Sequence, residues 1–226
     1  MNTRVLVAEG HAIFREAISL WLRRHSEFEV LTVAADGCDA VTLAIRVRPD
    51  VILMDAAMPR LNGIDATRQI AQEQPSIKII IFSESVGSQS VCAALEAGAA
   101  GYLSKYCSSE ELIRSIQHVV SGGTYLCPAA STVVVQRYLG DLNSSIYPVR
   151  NPLTAKQRHI VQQIAEGQSI KEIARNVELS PKTVDWHKAQ IMKKLNIDSI
   201  AGLVRYAMAE GLTCETLLPV GTGPES

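Results

Sequence analysis

The sequence predicts two domains: an α/β domain with a parallel sheet over residues 1–122, and an all-α domain of four helices over residues 151–212. Short β-branched runs alternate with amphipathic helices five times in the first part, which is typical of a parallel sheet covered by helices on both faces. Four helical segments follow one another closely in the second part. The two parts also differ in charge, with 11 Lys and Arg against 14 Asp and Glu over residues 1–122, and 10 against 6 over residues 150–212.

Each of the five predicted strands is a short apolar run that is followed by a helix. The predicted strands are residues 4–8, 28–34, 51–54, 77–82 and 100–103. The predicted helices cover residues 12–24, 40–48, 64–73, 91–97 and 109–121. Ser108 or Ser109 caps the last of them, and Glu110 and Glu111 lie in its first turn, where carboxylates suit the helix dipole.

Composition indicates a globular protein of the cytoplasm. Of the 226 residues, 47% are hydrophobic and 20% are charged, and no apolar run reaches the length of about 18 residues that a membrane helix needs. The amino terminus has no signal-peptide anatomy. The five cysteines are scattered and odd in number, which indicates reduced thiols in a cytosolic protein. An acidic half joined to a basic half indicates a regulatory domain tethered to a part that meets a polyanion.

Polar residues follow four of the predicted strands. Glu9, Asp55, Ser83 and Lys105 stand where the first, third, fourth and fifth strands end. The carboxyl ends of parallel strands form the ligand crevice of such a sheet. Two carboxylates, a hydroxyl and an amine suit phosphoryl transfer, because one carboxylate can hold Mg2+ and another can accept the phosphoryl group. Each residue alone is as well explained by a surface or turn position, but the four together favour a site.

Residues 4–121 resemble the receiver domain of bacterial two-component response regulators, which has a flavodoxin-like (βα)5 fold. Asp55-x-x-Met58-Pro59 and Gly98-Ala99-x-Gly101-Tyr102-Leu103-x-Lys105 carry the resemblance. It implies that Asp55 is phosphorylated, that Ser83 and Lys105 bind the phosphoryl group, and that Tyr102 switches with Ser83. It also implies a Mg2+ site formed by Glu9, Asp55 and the carbonyl of Ala57.

Gly10 departs from this pattern, because the family has two adjacent acids after the first strand and this sequence has Glu9-Gly10. Mg2+ depends on a few carboxylates in near-octahedral geometry, so the sequence predicts weakened or absent Mg2+ binding. Glu9 can act directly or through a water. Phosphorylation is then slow, dependent on high Mg2+, or absent.

Residues 123–150 are predicted to be a linker, with residues 132–139 as a short helix or strand within it. Residues 142–151 are polar and contain a proline, as linkers often do. Residues 213–226 are predicted to be a disordered tail that ends in Gly and Pro.

The second domain contains the pattern of a helix-turn-helix. Thr154 with Gln157, and Ser169 with Glu172, have capping-box spacing, and Ser180-Pro181 opens the third helix. Residues 152–212 resemble the LuxR-type DNA-binding domain of the NarL/FixJ family. The resemblance is carried by Ile164-Ala165-Glu166-Gly167, Lys171-Glu172-Ile173-Ala174 and Leu179-Ser180-Pro181-Lys182-Thr183-Val184.

The resemblance implies that the third helix reads DNA. Asp185, Trp186 and Ala189 then face the bases, since Asp can accept from cytosine and Ala can touch a thymine methyl group. Trp186 either lies against sugar and thymine methyl groups or packs on the first helix. The predicted phosphate contacts are Lys182, Thr183, Lys188 and Lys194. His187 is predicted to point into the core.

These residues together predict a cytoplasmic transcriptional regulator that binds double-stranded DNA as a homodimer and is phosphorylated on Asp55 by a sensor histidine kinase. The alternative, motivated by Gly10, is a DNA-binding regulator that works without phosphorylation, through constitutive dimerisation, a ligand or a partner. An enzyme that binds a nucleotide or flavin is the third hypothesis. No glycine-rich phosphate loop follows the first strand, so the sequence predicts no enzymatic activity of that kind.

Overall fold

The computed structural model describes residues 2–143 and 153–213. The chain divides into two compact units, Met1–Pro148 and Val149–Ser226. Among the described residues, no helix is both long enough and apolar enough to cross a membrane.

The first unit is a parallel α/β sheet. Its strands are β1 (Thr3–Ala8), β2 (Phe28–Ala34), β3 (Val51–Asp55), β4 (Lys78–Ser83), β5 (Gly101–Ser104) and β6 (Tyr125–Leu126). Every pairing is parallel, and the strand order is β2-β1-β3-β4-β5-β6. The predicted fold class is confirmed, and β6 is a strand that the sequence did not predict.

The helices of this unit are α1 (Ala12–Arg23), α2 (Gly37–Val47), α3 (Gly63–Glu73), α4 (Ser88–Glu96), α5 (Ser109–Val120) and α6 (Pro128–Asn143). Every residue of β3 is buried, as a central strand covered on both faces requires. The core continues through the apolar residues of β1 and β4 and the inner faces of the helices. This packing fixes the strand ends on which the polar side chains stand.

The predicted linker at residues 123–150 starts too early. Tyr125 pairs with Gly101 and Leu126 with Tyr102, so that these two residues extend the sheet. Cys127 and Ala130 are buried against the first core. A two-residue strand is too short to display a periodic pattern, and β6 could therefore not be predicted from sequence. The rest of the predicted linker, from residue 144, lies outside the described residues.

The second unit contains α7 (Ala155–Ala165), α8 (Ile170–Asn176), α9 (Pro181–Leu195) and α10 (Ile200–Ala209). Both predicted capping boxes are present, with Thr154 and Gln157 at α7 and with Ser169 and Glu172 at α8. The four helices share one small core that includes Ile160, Ile173, Val184, Ile191 and Leu203, all fully buried. Thr213, the first residue of the predicted tail, is also buried, and residues 214–226 lie outside the described residues.

Candidate functional site

Four predicted residues lie at one edge of the sheet in the first unit. Asp55 and Ser83 are the last residues of β3 and β4, whereas Glu9 and Lys105 directly follow β1 and β5. Because these four strands are parallel and adjacent, their carboxyl ends meet.

Lys105 bridges the two carboxylates. Its Nζ atom lies 2.8 Å from Glu9 Oε2 and 3.1 Å from Asp55 Oδ2. All three side chains are almost entirely buried. The Nζ atom also lies 5.1 Å from the ring centroid of Phe14, whose ring stacks on that of Phe82. The two carboxylates therefore share one ammonium group in a buried pocket, which leaves one negative charge without a cationic partner among these three residues.

The pKa values of the two carboxyl groups that share Lys105 are shifted in opposite directions. Burial, together with the neighbouring Glu9 carboxylate, raises the pKa of Asp55 to about 7. Burial also acts to raise the pKa of Glu9, but the hydrogen bonds from Lys105 and from the His11 backbone hold that pKa below its ordinary value. The pKa of Lys105 is raised, because the attraction of Asp55 and Glu9 outweighs the effect of burial. A proton shared by the two acids therefore prefers Asp55.

The backbone after β3 completes the pocket. The Ala57 N–H donates to Asp55 Oδ1 at 3.2 Å and orients the carboxylate. A Cβ atom built on Gly10 would lie 3.8 Å from the Ala57 carbonyl oxygen and 4.0 Å from Asp55 Oδ2. Gly10 therefore borders the space between these two oxygens. Two carboxylates and a carbonyl fit a hard divalent cation such as Mg2+, which would neutralise charge at Asp55.

His11 belongs to the same group, although no role was predicted for it from sequence. Its Nδ1 atom lies 3.1 Å from Glu9 Oε1, and its backbone N–H donates to that oxygen at 2.9 Å. Ligand atoms of Glu9, His11 and Asp55 all lie within 4.8 Å of one another. The position of His11, two residues after an acid at a strand end, is the one sequence feature that could have indicated this.

Ser83 and Tyr102 lie beside this pocket and are joined through the backbone of Ser85. The Ser83 Oγ atom accepts a hydrogen bond from the Ser85 N–H at 3.2 Å. The Tyr102 hydroxyl donates to the Ser85 carbonyl at 2.7 Å, and its ring is fully buried. Burial raises the pKa of Tyr102, so the phenol stays protonated and remains a donor. The loop after β4 is thus tied to both residues that the sequence predicted to act as a switch.

In the second unit, α8 and α9 form the predicted helix-turn-helix. Ser180 caps α9 by accepting from the Thr183 N–H, and Pro181 occupies the first turn. Val184 and Ile191 are buried and fix one face of α9 against the core. The opposite face is therefore set towards solvent.

The residues predicted to contact DNA differ in how far their side chains are exposed. Lys182, Asp185, Trp186 and Ala189 are exposed, whereas Thr183 and Lys188 are half-buried. Lys188 Nζ lies 3.7 Å from Asp185 Oδ1. Lys194, at the far end of the helix, donates to Gln157 Oε1 at 3.1 Å.

Trp186, for which the sequence left two positions open, has a largely exposed side chain. Its side chain is 58% exposed, and its ring meets the neighbouring His187 ring edge-on at 5.0 Å. His187 is half-buried rather than fully in the core, although its Nδ1 atom is buried. The indole is therefore available on the outer face of α9.

Comparison with known proteins covers both units. Residues 5–117 match the family described as "Response regulator receiver domain", and residues 151–207 match "Bacterial regulatory proteins, luxR family". The chain is 35% identical over 214 residues to the oxygen regulatory protein NreC of Staphylococcus carnosus, with 92% of this chain and 98% of the relative covered. The chain belongs to the LuxR-type response regulators of the NarL/FixJ family. It is a DNA-binding transcriptional regulator of the two-component type, whose receiver is controlled by phosphorylation.

Solved structures agree with the fold of this response regulator. A LuxR-family response regulator from Aurantimonas sp. is 30% identical, covering 62% of this chain and 99% of that one, with a TM-score of 0.59. RcsB of Salmonella typhimurium is 22% identical, covering 92% and 98% of the two chains, with a TM-score of 0.65. Receiver domains generally bind Mg2+, and the receiver of this chain contains the Glu9, His11 and Asp55 group.

Proposed function

We propose that Asp55 is the phosphorylated residue of this response regulator and that Glu9, Asp55 and Ala57 hold Mg2+ beside it. The observation that carries the proposal is the buried Asp55 carboxylate, with Oδ2 3.1 Å from Lys105 Nζ, at the carboxyl end of β3. A carboxylate oxygen attacks the phosphorus of a phosphohistidine or acyl phosphate donor, the bond to the donor breaks, and an aspartyl phosphate forms. Lys105 and Ser83 then bind the new phosphoryl oxygens.

The backbone of Ser85 connects Ser83, beside the proposed phosphorylation site, with Tyr102. If Ser83 turns towards the phosphoryl oxygens, its contact with the Ser85 N–H is lost, and the Tyr102 contact with the Ser85 carbonyl loosens with the same loop. Two alternative arrangements of Ser83 and Tyr102 would therefore bias the receiver between two states. We infer that this change controls homodimerisation on double-stranded DNA, with a sensor histidine kinase as the phosphodonor.

Intact mass after incubation with Mg2+ and acetyl phosphate tests the assignment. Wild type should gain one phosphoryl group, and Asp55→Asn should gain none. Gly10→Asp should be phosphorylated at lower Mg2+ concentration, because the added carboxylate would stand near Ala57 O and Asp55 Oδ2. An adduct that persists in Asp55→Asn would contradict the assignment, and an adduct on Gly10→Asp alone would mean that the missing acid has disabled phosphorylation.

The family match favours phosphorylation control over the phosphorylation-independent alternative that Gly10 raises. The same variants separate the two. In the alternative, Asp55→Ala would leave DNA binding unchanged whether or not a phosphodonor is present. Under the proposal, the phosphodonor should strengthen DNA binding by wild type but have no effect on Asp55→Ala.

We also infer that the outer face of α9 reads DNA, with Asp185, Trp186 and Ala189 towards the bases and Lys182, Thr183, Lys188 and Lys194 on the phosphates. The exposure of Lys182, Asp185, Trp186 and Ala189 supports this inference. Lys188→Ala should weaken binding to all DNA sequences and reduce the salt slope by about one unit. Asp185→Ala should relax base preference more than it alters non-specific affinity. Equal losses on specific and random DNA in Asp185→Ala would refute its base-reading role.

A further inference from the structure

Gly10 has no side chain, so it leaves a space beside the Asp55 carboxylate unfilled. A Cβ atom at Gly10 would meet only Pro59 Cδ closely, at 3.2 Å, while Ala57 O and Asp55 Oδ2 lie 3.8 Å and 4.0 Å away. The space is thus bordered by oxygen atoms on one side. A cation placed there needs a further ligand from another residue.

His11 is placed to be that ligand. It is the N-cap residue of α1, but its side chain makes no capping hydrogen bond. The Nδ1 atom is turned towards Glu9 Oε1 at 3.1 Å instead, and 36% of the side chain remains exposed. Glu9, His11 and Asp55 can each bring one ligand atom within 4.8 Å of the others. The imidazole therefore lies within reach of a cation held by the two carboxylates.

Two buried oxygens of this group share one cation. Glu9 Oε2 and Asp55 Oδ2 lie 2.8 Å and 3.1 Å from Lys105 Nζ, and both residues are almost completely buried. One ammonium cannot neutralise two carboxylates. A divalent cation would supply the missing positive charge, and an imidazole nitrogen is a common metal ligand.

We propose that His11 provides a nitrogen ligand in place of the missing acid, so that this pocket prefers a transition-metal divalent cation such as Mn2+ over Mg2+. Imidazole suits transition metals, whereas Mg2+ prefers an all-oxygen octahedron. Mn2+ accepts carboxylate oxygens as readily as Mg2+ does, so a set of two carboxylates and one imidazole favours it. The inference rests on the proposed function only in taking these residues as the cation site of the receiver.

Binding of Mn2+ to the full-length chain, followed by electron paramagnetic resonance, tests the inference. The wild type should bind Mn2+ more tightly than Mg2+ in competition, and pulsed measurements should detect a coordinated 14N nucleus. In His11→Ala the 14N coupling should vanish and Mn2+ affinity should fall by at least about tenfold, with a smaller change for Mg2+. His118→Ala is the matched control, because His118 packs against Tyr125 away from the pocket, and it should behave as wild type.

Unchanged Mn2+ affinity in His11→Ala, a 14N coupling that survives the substitution, or no Mn2+ binding by wild type would each overturn the inference. Gly10→Asp provides a second variant that does not touch His11, and it should shift the preference towards Mg2+. Intact mass with acetyl phosphate keeps the two proposals apart. A phosphoryl adduct that forms equally with either metal and without His11 would refute the inference alone, whereas His11-dependent Mn2+ binding without any adduct would refute phosphorylation alone.

Discussion

Replacing Asp55 with asparagine should stabilise the first unit at neutral and alkaline pH in the absence of metal. The carboxyl group lies in a buried pocket beside Glu9, and its pKa is raised to about 7 from an ordinary value of 3.8. The folded state therefore holds the Asp55 proton more tightly than the unfolded chain does. Asparagine has nearly the shape of the protonated carboxyl group and cannot ionise, so it removes the cost of the buried charge.

The size and sign of this effect follow from linkage. A raised acid pKa means that the stability contributed by the group is fully present below pH 3.8 and is lost as pH rises through about 7. The shift of about three units corresponds to roughly 4 kcal/mol at about 1.4 kcal/mol per unit, which is an upper limit for a coupled pair. We expect Asp55→Asn to exceed wild type by about 2 to 4 kcal/mol at pH 8, and by almost nothing below pH 4.

Unfolding of the first unit can be measured separately by tryptophan fluorescence. The chain has two tryptophans, and one lies in each unit. Trp21 packs on His25 with ring centroids 4.4 Å apart, so its fluorescence should report unfolding of the first unit. Urea unfolding would be measured from pH 4 to 8 with a metal chelator present. Trp186→Phe in every variant removes the second signal.

Asp50→Asn is the control with the opposite sign. Arg4 hydrogen-bonds the Asp50 carboxylate and lowers its pKa, so Asp50 contributes stability at neutral pH that is lost as pH falls. This pair is substantially exposed, so its removal should cost no more than about 1 kcal/mol. The reasoning about Asp55 fails if Asp55→Asn gives no gain at pH 8, or if its gain is the same at pH 4.

Two further substitutions test packing in each unit. Gly63→Ala should destabilise the first unit by at least about 2 kcal/mol in the Trp21 assay, because the added Cβ would lie 1.9 Å from the Asp55 carbonyl oxygen. Gly87→Ala, whose Cβ would meet only Ser85 Oγ at 3.7 Å, should have little effect, and equal losses in the two variants would contradict the steric argument. Leu203→Ala should cost about 2 to 5 kcal/mol in the second unit, abolish DNA binding and leave the phosphoryl adduct intact. Loss of the adduct in that variant would contradict the assignment of Leu203 to the core of the second unit alone.

The strand-end residues could be predicted from sequence because their position depends only on the topology of the sheet. A buried apolar run such as that of residues 51–54 identifies a central strand, and a parallel sheet brings the residues that follow such strands to one edge. The starts of α7 and α8 were equally accessible, since Thr154 with Gln157 and Ser169 with Glu172 are local signals that the structure reproduces.

The remaining features depend on side-chain direction and on long-range pairing. The sequence places His11 two residues after Glu9, but it does not determine whether the imidazole turns back towards Glu9 or out from the start of α1. The exposure of Trp186 depends on the orientation of α9 about its own axis against the core. The sequence does not determine this orientation, so two positions for Trp186 were left open. The two residues of β6 are too few for any period to be read, and their strand forms only because β5 offers a free edge.

That edge has a practical consequence for anyone who isolates the receiver. A fragment that ends at residue 122 would lack Tyr125 and Leu126 and would leave the backbone groups of β5 exposed along one side. Exposed strand edges pair with other molecules and cause aggregation. The strand at risk is also the one that carries Tyr102. A fragment that ends after residue 143 keeps this edge covered, and activity lost in a shorter one would reflect self-association rather than chemistry.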